Sequence, residues 1–242
     1  MTVFHLPAAT VFPHPSHADD DGLLAVGGDL SPQRLLRAYS MGIFPWYTKN
    51  TPILWWSPDP RLILEPACLH VPARLGRLMR QQPFCITLDT AFDQVMAHCA
   101  RAPRSTGHGT WIVPEMQAAY STLHHLGFAH SVEVWEGTNL VGGLYGLALG
   151  RAFFGESMFY CHPNASKIAV VTLIRLLDQA GYSLVDCQQT TAHMQRFGGI
   201  EVSRTEFLDR LDQALFWPTQ RGQWSIVAGQ LHCLPSASED SP

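Results

Sequence analysis

The chain has 242 residues, of which 46% are hydrophobic and 15% charged, and a formal net charge of −4. That balance supplies a sizeable core and excludes a disordered chain, and it argues against nucleic-acid binding over the whole surface while allowing a local basic patch. Every apolar run is broken well before the roughly eighteen residues of a membrane helix, and residues 1–7 lack the basic and apolar segments of a signal peptide, so neither feature is expected.

Residues 1–59 are expected to form a small N-terminal domain with little regular structure, punctuated by Pro7, Pro13, Pro15, Pro32, Pro45, Pro52 and Pro58. Its one clear element is a helix over 32–40, with Ser31 as N-cap, Pro32 at the first position and Gly42 just beyond the end. Ser57-Pro58-Asp59-Pro60 reads as a boundary. A second domain over 60–232 then alternates. A strand is expected at 84–88, and Phe92, Val95, Met96 and Cys99 follow helical spacing. Another helix carries Met116, Ala119, Tyr120 and Leu123, with Pro114 near its start and Gly127 after its end. Three successive strands follow at 130–135, 140–147 and 151–156. Asn164 is placed as the cap of an apolar helix reaching about residue 179. A strand at 182–188, a short helix near 191–197 and a last helix opened by the capping box Ser203-x-x-Glu206 complete the order. Residues 233–242 read as a tail. The fold class is α/β (α+β), and the order of elements is that of an acetyltransferase-like (GNAT) domain, an analogy that names no reaction.

Two apolar runs carry polar groups that a core does not need. Phe153-Phe154-Gly155-Glu156-Ser157-Met158-Phe159 contains a carboxylate, and Leu184-Val185-Asp186-Cys187-Gln188 contains a carboxylate and an amide. A buried carboxylate is costly unless it is paired or used, so these are satisfied core ion pairs, loop edges or chemistry. Strand alternation places Asp186 and Gln188 on one face with Cys187 on the other, and groups Phe154, Glu156 and Met158. Arg74, Arg77 and Arg80 recur every three residues, on one helix face that either meets solvent or binds phosphate. The six cysteines contain no CxxC pair and His124, His125, His130 and His193 form no metal-ligand pattern, so reduced thiols, no metal and no cofactor are expected.

Several longer motifs resemble the leucyl/phenylalanyl-tRNA–protein transferases. They are Asp21-Gly22-Leu23-Leu24-Ala25-Val26-Gly27-Gly28-Asp29-Leu30, Gly42-Ile43-Phe44-Pro45-Trp46 and Leu54-Trp55-Trp56-Ser57-Pro58-Asp59-Pro60-Arg61. Further along come Gly109-Thr110-Trp111-Ile112, His130-Ser131-Val132-Glu133, Gly142-Gly143-Leu144-Tyr145-Gly146, Gly155-Glu156-Ser157-Met158-Phe159, Asn164-Ala165-Ser166-Lys167 and Asp186-Cys187-Gln188. The resemblance implies transfer of Leu, Phe or Met from aminoacyl-tRNA to proteins whose first residue is Lys or Arg, marking them for N-degron proteolysis. By resemblance, Trp46 and Trp111 sandwich the 3′-terminal adenine, and Asp186, Gln188 and Glu156 form the catalytic group. Leu144, Phe153, Met158, Val170, Leu173, Leu177 and Val185 form the aminoacyl pocket, and Arg74, Arg77 and Arg80 contact the tRNA backbone. A monomer is expected because no apolar helix face is left over. The cysteine pattern and the lack of a membrane helix point to a cytoplasmic enzyme without membrane association. Trp55, Trp56 and Trp135 are assigned to packing.

The reaction is aminolysis of an ester, for which Gln188 is expected to orient the amine while Asp186 holds Gln188 and takes up the proton. The terminal ribose 2′-hydroxyl is the alternative proton carrier. Two rival readings are an acyl-CoA-dependent N-acetyltransferase and a non-catalytic tRNA-binding module. The first lacks support because the helix entry His162-Pro163-Asn164-Ala165-Ser166-Lys167 has no glycine to cradle pyrophosphate. The second leaves Asp186 and Gln188 unexplained.

Overall fold

A computed structural model of the chain describes residues 3–102, 110–227 and 229–234. Gly109 of the tryptophan motif and the tail from residue 235 lie outside the described residues. In chain order the elements are β1 (Phe4–Leu6), β2 (Leu23–Gly27), α1 (Pro32–Ser40), β3 (Phe44–Pro45), β4 (Leu54–Trp56), β5 (Arg61–Leu64), α2 (Ala73–Arg80) and β6 (Cys85–Leu88). There follow α3 (Phe92–Arg101), α4 (Pro114–His125), β7 (Ala129–Glu136), β8 (Asn139–Leu149), β9 (Ala152–Tyr160), α5 (Ala165–Gln179) and β10 (Leu184–Gln188). The order closes with α6 (Ala192–Gln195), β11 (Ile200–Val202), α7 (Arg204–Leu215) and the hairpin β12 (Gln223–Val227) and β13 (Gln230–Leu234).

The N-terminal segment holds more structure than its prolines suggest. Its four strands form a sheet in the order β1-β2-β4-β3, which corrects the expectation of a single helix there. None exceeds five residues, too few for an alternating pattern to stand out. Pro45 sits on the edge strand β3, where a missing N–H breaks no ladder. The helix α1 is as expected: Ser31 Oγ accepts from the Arg34 N–H at 3.4 Å, and Leu35, Ala38 and Tyr39 are buried.

The second sheet has seven strands in the order β11-β5-β10-β9-β8-β7-β6. Every neighbouring pair is antiparallel except β9 and β10, which run parallel. Parallel neighbours need a crossover, and α5 supplies it. One face of this sheet packs with α1, α3, α4 and α7, through Leu35, Val95, Met116, Phe154, Leu184 and Phe207. The other face packs with α5, through Leu144, Phe153, Ile168, Leu177 and Val185. Phe153 and Phe154, or Leu184 and Val185, are adjacent residues sent to opposite layers by the pleat.

Three expectations are corrected here. Asn164 stands at the start of α5 but in a left-handed conformation (φ 70°) with no side-chain cap. Its Oδ1 instead accepts from Lys167 Nζ at 2.9 Å. The strands β5 and β11 and the C-terminal hairpin were not foreseen, so residues 233 and 234 belong to β13 rather than to a tail. At Ser203, half of the capping box forms: Oγ accepts from the Glu206 N–H at 3.2 Å, while the Glu206 carboxylate accepts from Arg210.

Candidate active site

The parallel pair β9 and β10 stays in register for only three residues, Ala152–Phe154 against Leu184–Asp186. Beyond that point β9 continues to Tyr160 alongside β8, while Gln188 pairs instead with Leu62 of β5. The two strands therefore part, and Glu156 and Gln188 project where they separate. A bulge in each strand sets this up. Opposite Tyr145 and Gly146, β9 carries Ser157 and Gly155, which leaves Glu156 as the extra residue. On β10 the register shifts between Asp186 and Gln188, and Gln188 takes a positive φ of 61°.

The β9 bulge also corrects the grouping of side chains along that strand. Phe154 lies in the layer with α1, and Glu156 reaches Tyr39 of the same helix, but Met158 packs into the α5 layer with Phe153. A bulge adds one residue and so inverts the alternation beyond it.

Glu156 is almost wholly buried and is held by neutral donors. Tyr39 Oη donates to its Oε1 at 2.6 Å, Tyr120 Oη to Oε2 at 3.1 Å, and Gln188 Nε2 to Oε1 at 2.8 Å. The two tyrosine hydroxyls also touch each other. Burial raises the Glu156 pKa from 4.5 to about 7, against the opposing pull of the Tyr39 and Tyr120 hydrogen bonds. The same burial, with Glu156 beside them, pushes both tyrosines well above their usual range. They act as donors and stay protonated.

Asp186 has a different companion. It is fully buried, and its two oxygens accept from Arg61 Nε at 2.8 Å and Nη2 at 2.7 Å. The Asp186 Oδ1 also accepts from the backbone N–H of Gln188 at 2.9 Å. The satisfied core ion pair raised as one reading of the sequence is thus present at Asp186. It holds Gln188 by the backbone, and the side-chain amide of Gln188 belongs to Glu156. Between them, burial first, and the Asp186 charge second, push the Cys187 thiol far up.

The seven side chains expected to line an aminoacyl pocket all lie in the α5 layer. Leu144 and Met158 are direct cross-strand partners, as are Phe153 and Val185. Val170, Leu173 and Leu177 face them from α5, and all but Met158 are fully buried. Arg74, Arg77 and Arg80 are exposed on α2, opposite its buried Leu75. Trp46 is 37% exposed and lies edge-on to Trp56 at 5.7 Å, and Trp111 is half-buried. The segments that carry Trp46 and Trp111 border one cleft of about 620 Å³, lined by Thr48, Lys49, Asn50, Thr110, Ile112 and Gln117 among others. Trp55 is fully buried, while Trp56 and Trp135 are half-buried, each with its indole N–H donated, to Trp46 O and Thr87 Oγ1.

Three side chains at the site were not singled out from sequence: Tyr39, Tyr120 and Arg61. Tyr39 and Tyr120 look like apolar helix positions, and only the tertiary fold brings them to Glu156. Arg61 leads the apolar run Leu62–Leu64, a position where a charge has no local explanation. Among the described residues no cluster of three or more His, Cys, Asp or Glu side chains could hold a metal, and no helix is long and apolar enough to cross a membrane.

An apolar layer under one face of a sheet, with a carboxylate–amide pair where two of its strands part, suits the handling of an apolar acyl group. The class is that of a mixed α/β transferase. Residues 63–212 match the model of the leucyl/phenylalanyl-tRNA protein transferase family, and residues 28–59 match the model of that family's N-terminal domain. A leucyl/phenylalanyl-tRNA–protein transferase of Nitratidesulfovibrio vulgaris is 58% identical over 227 residues, covering 93% of this chain and 97% of the relative. Its counterpart in Anaeromyxobacter dehalogenans is 55% identical over 228 residues, with 94% and 98% covered. Solved structures offer only faint likenesses. A GCN5-related N-acetyltransferase from Kribbella flavida gives a TM-score of 0.37 at 12% identity, covering 71% of this chain and 61% of that one. The chain belongs to the leucyl/phenylalanyl-tRNA–protein transferase family, and it is an aminoacyltransferase that moves an amino acid from tRNA to protein.

Proposed function

We propose that the enzyme transfers Leu, Phe or Met to the α-amine of proteins beginning with Lys or Arg, and so marks them for N-degron proteolysis. It acts as a cytoplasmic monomer without cofactor. The observation that carries this reading is the 2.8 Å bond from Gln188 Nε2 to Glu156 beside an apolar layer. A pocket of Leu144, Phe153, Met158, Val170, Leu173, Leu177 and Val185 offers no polar side chain and suits large apolar groups that are not β-branched, with discrimination of about 1–3 kcal/mol per methylene. Trp46 and Trp111 would grip the unpaired terminal adenine by stacking, a sequence-tolerant contact of about 1–3 kcal/mol. Arg74, Arg77 and Arg80 would meet backbone phosphates.

An α-amine has an ordinary pKa of about 7.7–8.0, so roughly a tenth is neutral at pH 7 and no strong base is required. Positioning is the larger contribution. Glu156 fixes which end of the Gln188 amide faces it, leaving the amide oxygen to accept an N–H of the incoming amine. Peptide-bond formation joins the neutral amine nitrogen to the acyl carbon and breaks the ester C–O bond, so nitrogen loses one proton and the departing ribose oxygen gains one. Glu156, with a pKa of about 7, is matched to relay that proton from nitrogen to the departing ribose oxygen by way of the ribose 2′-hydroxyl. Asp186 contributes by position: the Arg61 fork holds it against the Gln188 backbone N–H.

The test uses radiolabelled Leu-tRNA and two peptides that differ only in a first residue of Arg or Gly, with RNase pretreatment and acetyl-CoA as controls. RNase-sensitive labelling of the Arg peptide alone is expected. Equal labelling of both peptides, or acetyl transfer from acetyl-CoA, contradicts the reading.

A further inference from the structure

Arg61 is 1% exposed and lies against two aromatic rings, its guanidinium carbon 4.8 Å from the centre of Phe44 and 4.5 Å from that of Phe207. Those rings come from different parts of the fold: β3 of the N-terminal sheet, and α7. Backbone packs close by on the α7 side, since a Cβ on Gly42 would lie 2.7 Å from the Phe207 ring. With the guanidinium held over these rings, its rim grips Asp186 by a two-point fork. A third nitrogen, Nη1, is buried with no hydrogen-bond partner.

Stability alone does not account for this arrangement. A buried ion pair is no more stabilising than well-packed apolar residues of similar volume, and an orphaned N–H costs further. Precise orientation is what a forked pair supplies and an apolar pair does not. The object being oriented is next in the chain of contacts. Asp186 Oδ1, fixed by Arg61 Nε, also binds the Gln188 N–H, and Gln188 holds a left-handed backbone that a non-glycine residue rarely adopts unaided.

We propose that Arg61 is a positioning residue for aminoacyl transfer. It locks Asp186 so that the Gln188 backbone stays in its left-handed turn and the amide stays between Glu156 and the substrate. The proposal rests on the reading that Gln188 acts in transfer. It also makes the site depend on the seating of the N-terminal sheet, since Phe44 forms one wall of the Arg61 slot.

The experiment measures single-turnover transfer from Leu-tRNA to an Arg-initiated peptide, together with the Kd for aminoacyl-tRNA. The variants are Arg61→Lys, Gln188→Ala, their combination, and the neutral pair Arg61→Gln with Asp186→Asn. Arg61→Lys keeps the charge and loses the fork, so a turnover loss on the order of 100-fold is expected with Kd changed less than about threefold. The combination should lose no more than Gln188→Ala alone, because Arg61 acts through Gln188. The neutral pair is expected to fold even where a single change does not, and to show the same loss with the same non-additivity toward Gln188→Ala. Multiplying losses, or a loss confined to Kd, would overturn the proposal and leave Arg61 a structural residue. Full activity of Gln188→Ala would remove the underlying reading of the site instead, and the Arg61 proposal with it.

Discussion

Asp186 and Glu156 flank the same glutamine, both withdrawn from water, and the fold gives them opposite companions. Asp186 meets a guanidinium that engages both of its oxygens. Glu156 meets two phenol hydroxyls and an amide, none of which carries charge, and burial lifts its pKa to about 7. Chemically similar groups on neighbouring strands are thereby separated into a positioning element and a titrating one. The lesson is that the local sequence places a carboxylate in a strand, but its partners from distant segments decide whether it can move a proton.

The largest expected difference between the two is in stability. Asp186→Ala strands the Arg61 charge in the core, for which about 3–5 kcal/mol is expected. Glu156→Ala leaves only neutral donors unsatisfied, and about 1–3 kcal/mol is expected. Urea unfolding of both variants checks the ordering, and equal losses would erase the distinction. Adding Arg61→Met to Asp186→Ala should recover part of the first loss.

Acidity sharpens the comparison further. The folded protein keeps a proton on Glu156 between pH 4.5 and about 7 that the unfolded chain has released. Stability from this group is therefore fully present below about pH 4.5 and is lost as pH rises through about 7, a change on the order of 3 kcal/mol. Relative to Glu156→Gln, the wild-type protein should lose its margin over that window in unfolding experiments. A margin independent of pH would mean that the hydroxyl donors outweigh burial.

The smallest effect concerns one donor. Tyr120→Phe removes the 3.1 Å hydrogen bond to Glu156 Oε2, at a cost of about 1 kcal/mol. Because that bond favours the ionised carboxylate, the Glu156 midpoint should move upward in the variant. Titration followed by carboxylate-sensitive infrared absorption would show it.

Much of the larger sheet was legible beforehand. Its strands at 129–136, 139–149 and 152–160 are long, apolar and joined by glycine turns, and α5 is apolar on nearly every side. The aminoacyl-pocket candidates were named by resemblance alone, and they share one layer. Less legible were the pieces held by tertiary contact alone. The strands β1, β3 and β4 are two or three residues long, so no periodicity reveals them. Arg61 and Asp186 stand 125 residues apart, and nothing in either neighbourhood names the other. The bulges at Glu156 and at Asp186–Gln188 break the alternation on which a face assignment depends, and both sit where the chemistry is proposed. Sites that depart from regular strand geometry are where pattern reading is expected to fail.

The most direct measurement is the pH dependence of single-turnover transfer to a peptide whose terminal amine is replaced by an aminooxy group. Such a nucleophile is already neutral across the range, so the enzyme's own titration is exposed. For the wild-type protein the rate should rise through a single ionisation near pH 7, and for Glu156→Gln it should be lower and flat. The same midpoint persisting in Glu156→Gln, or a flat profile in the wild-type protein, would contradict the assignment of Glu156 as the proton acceptor.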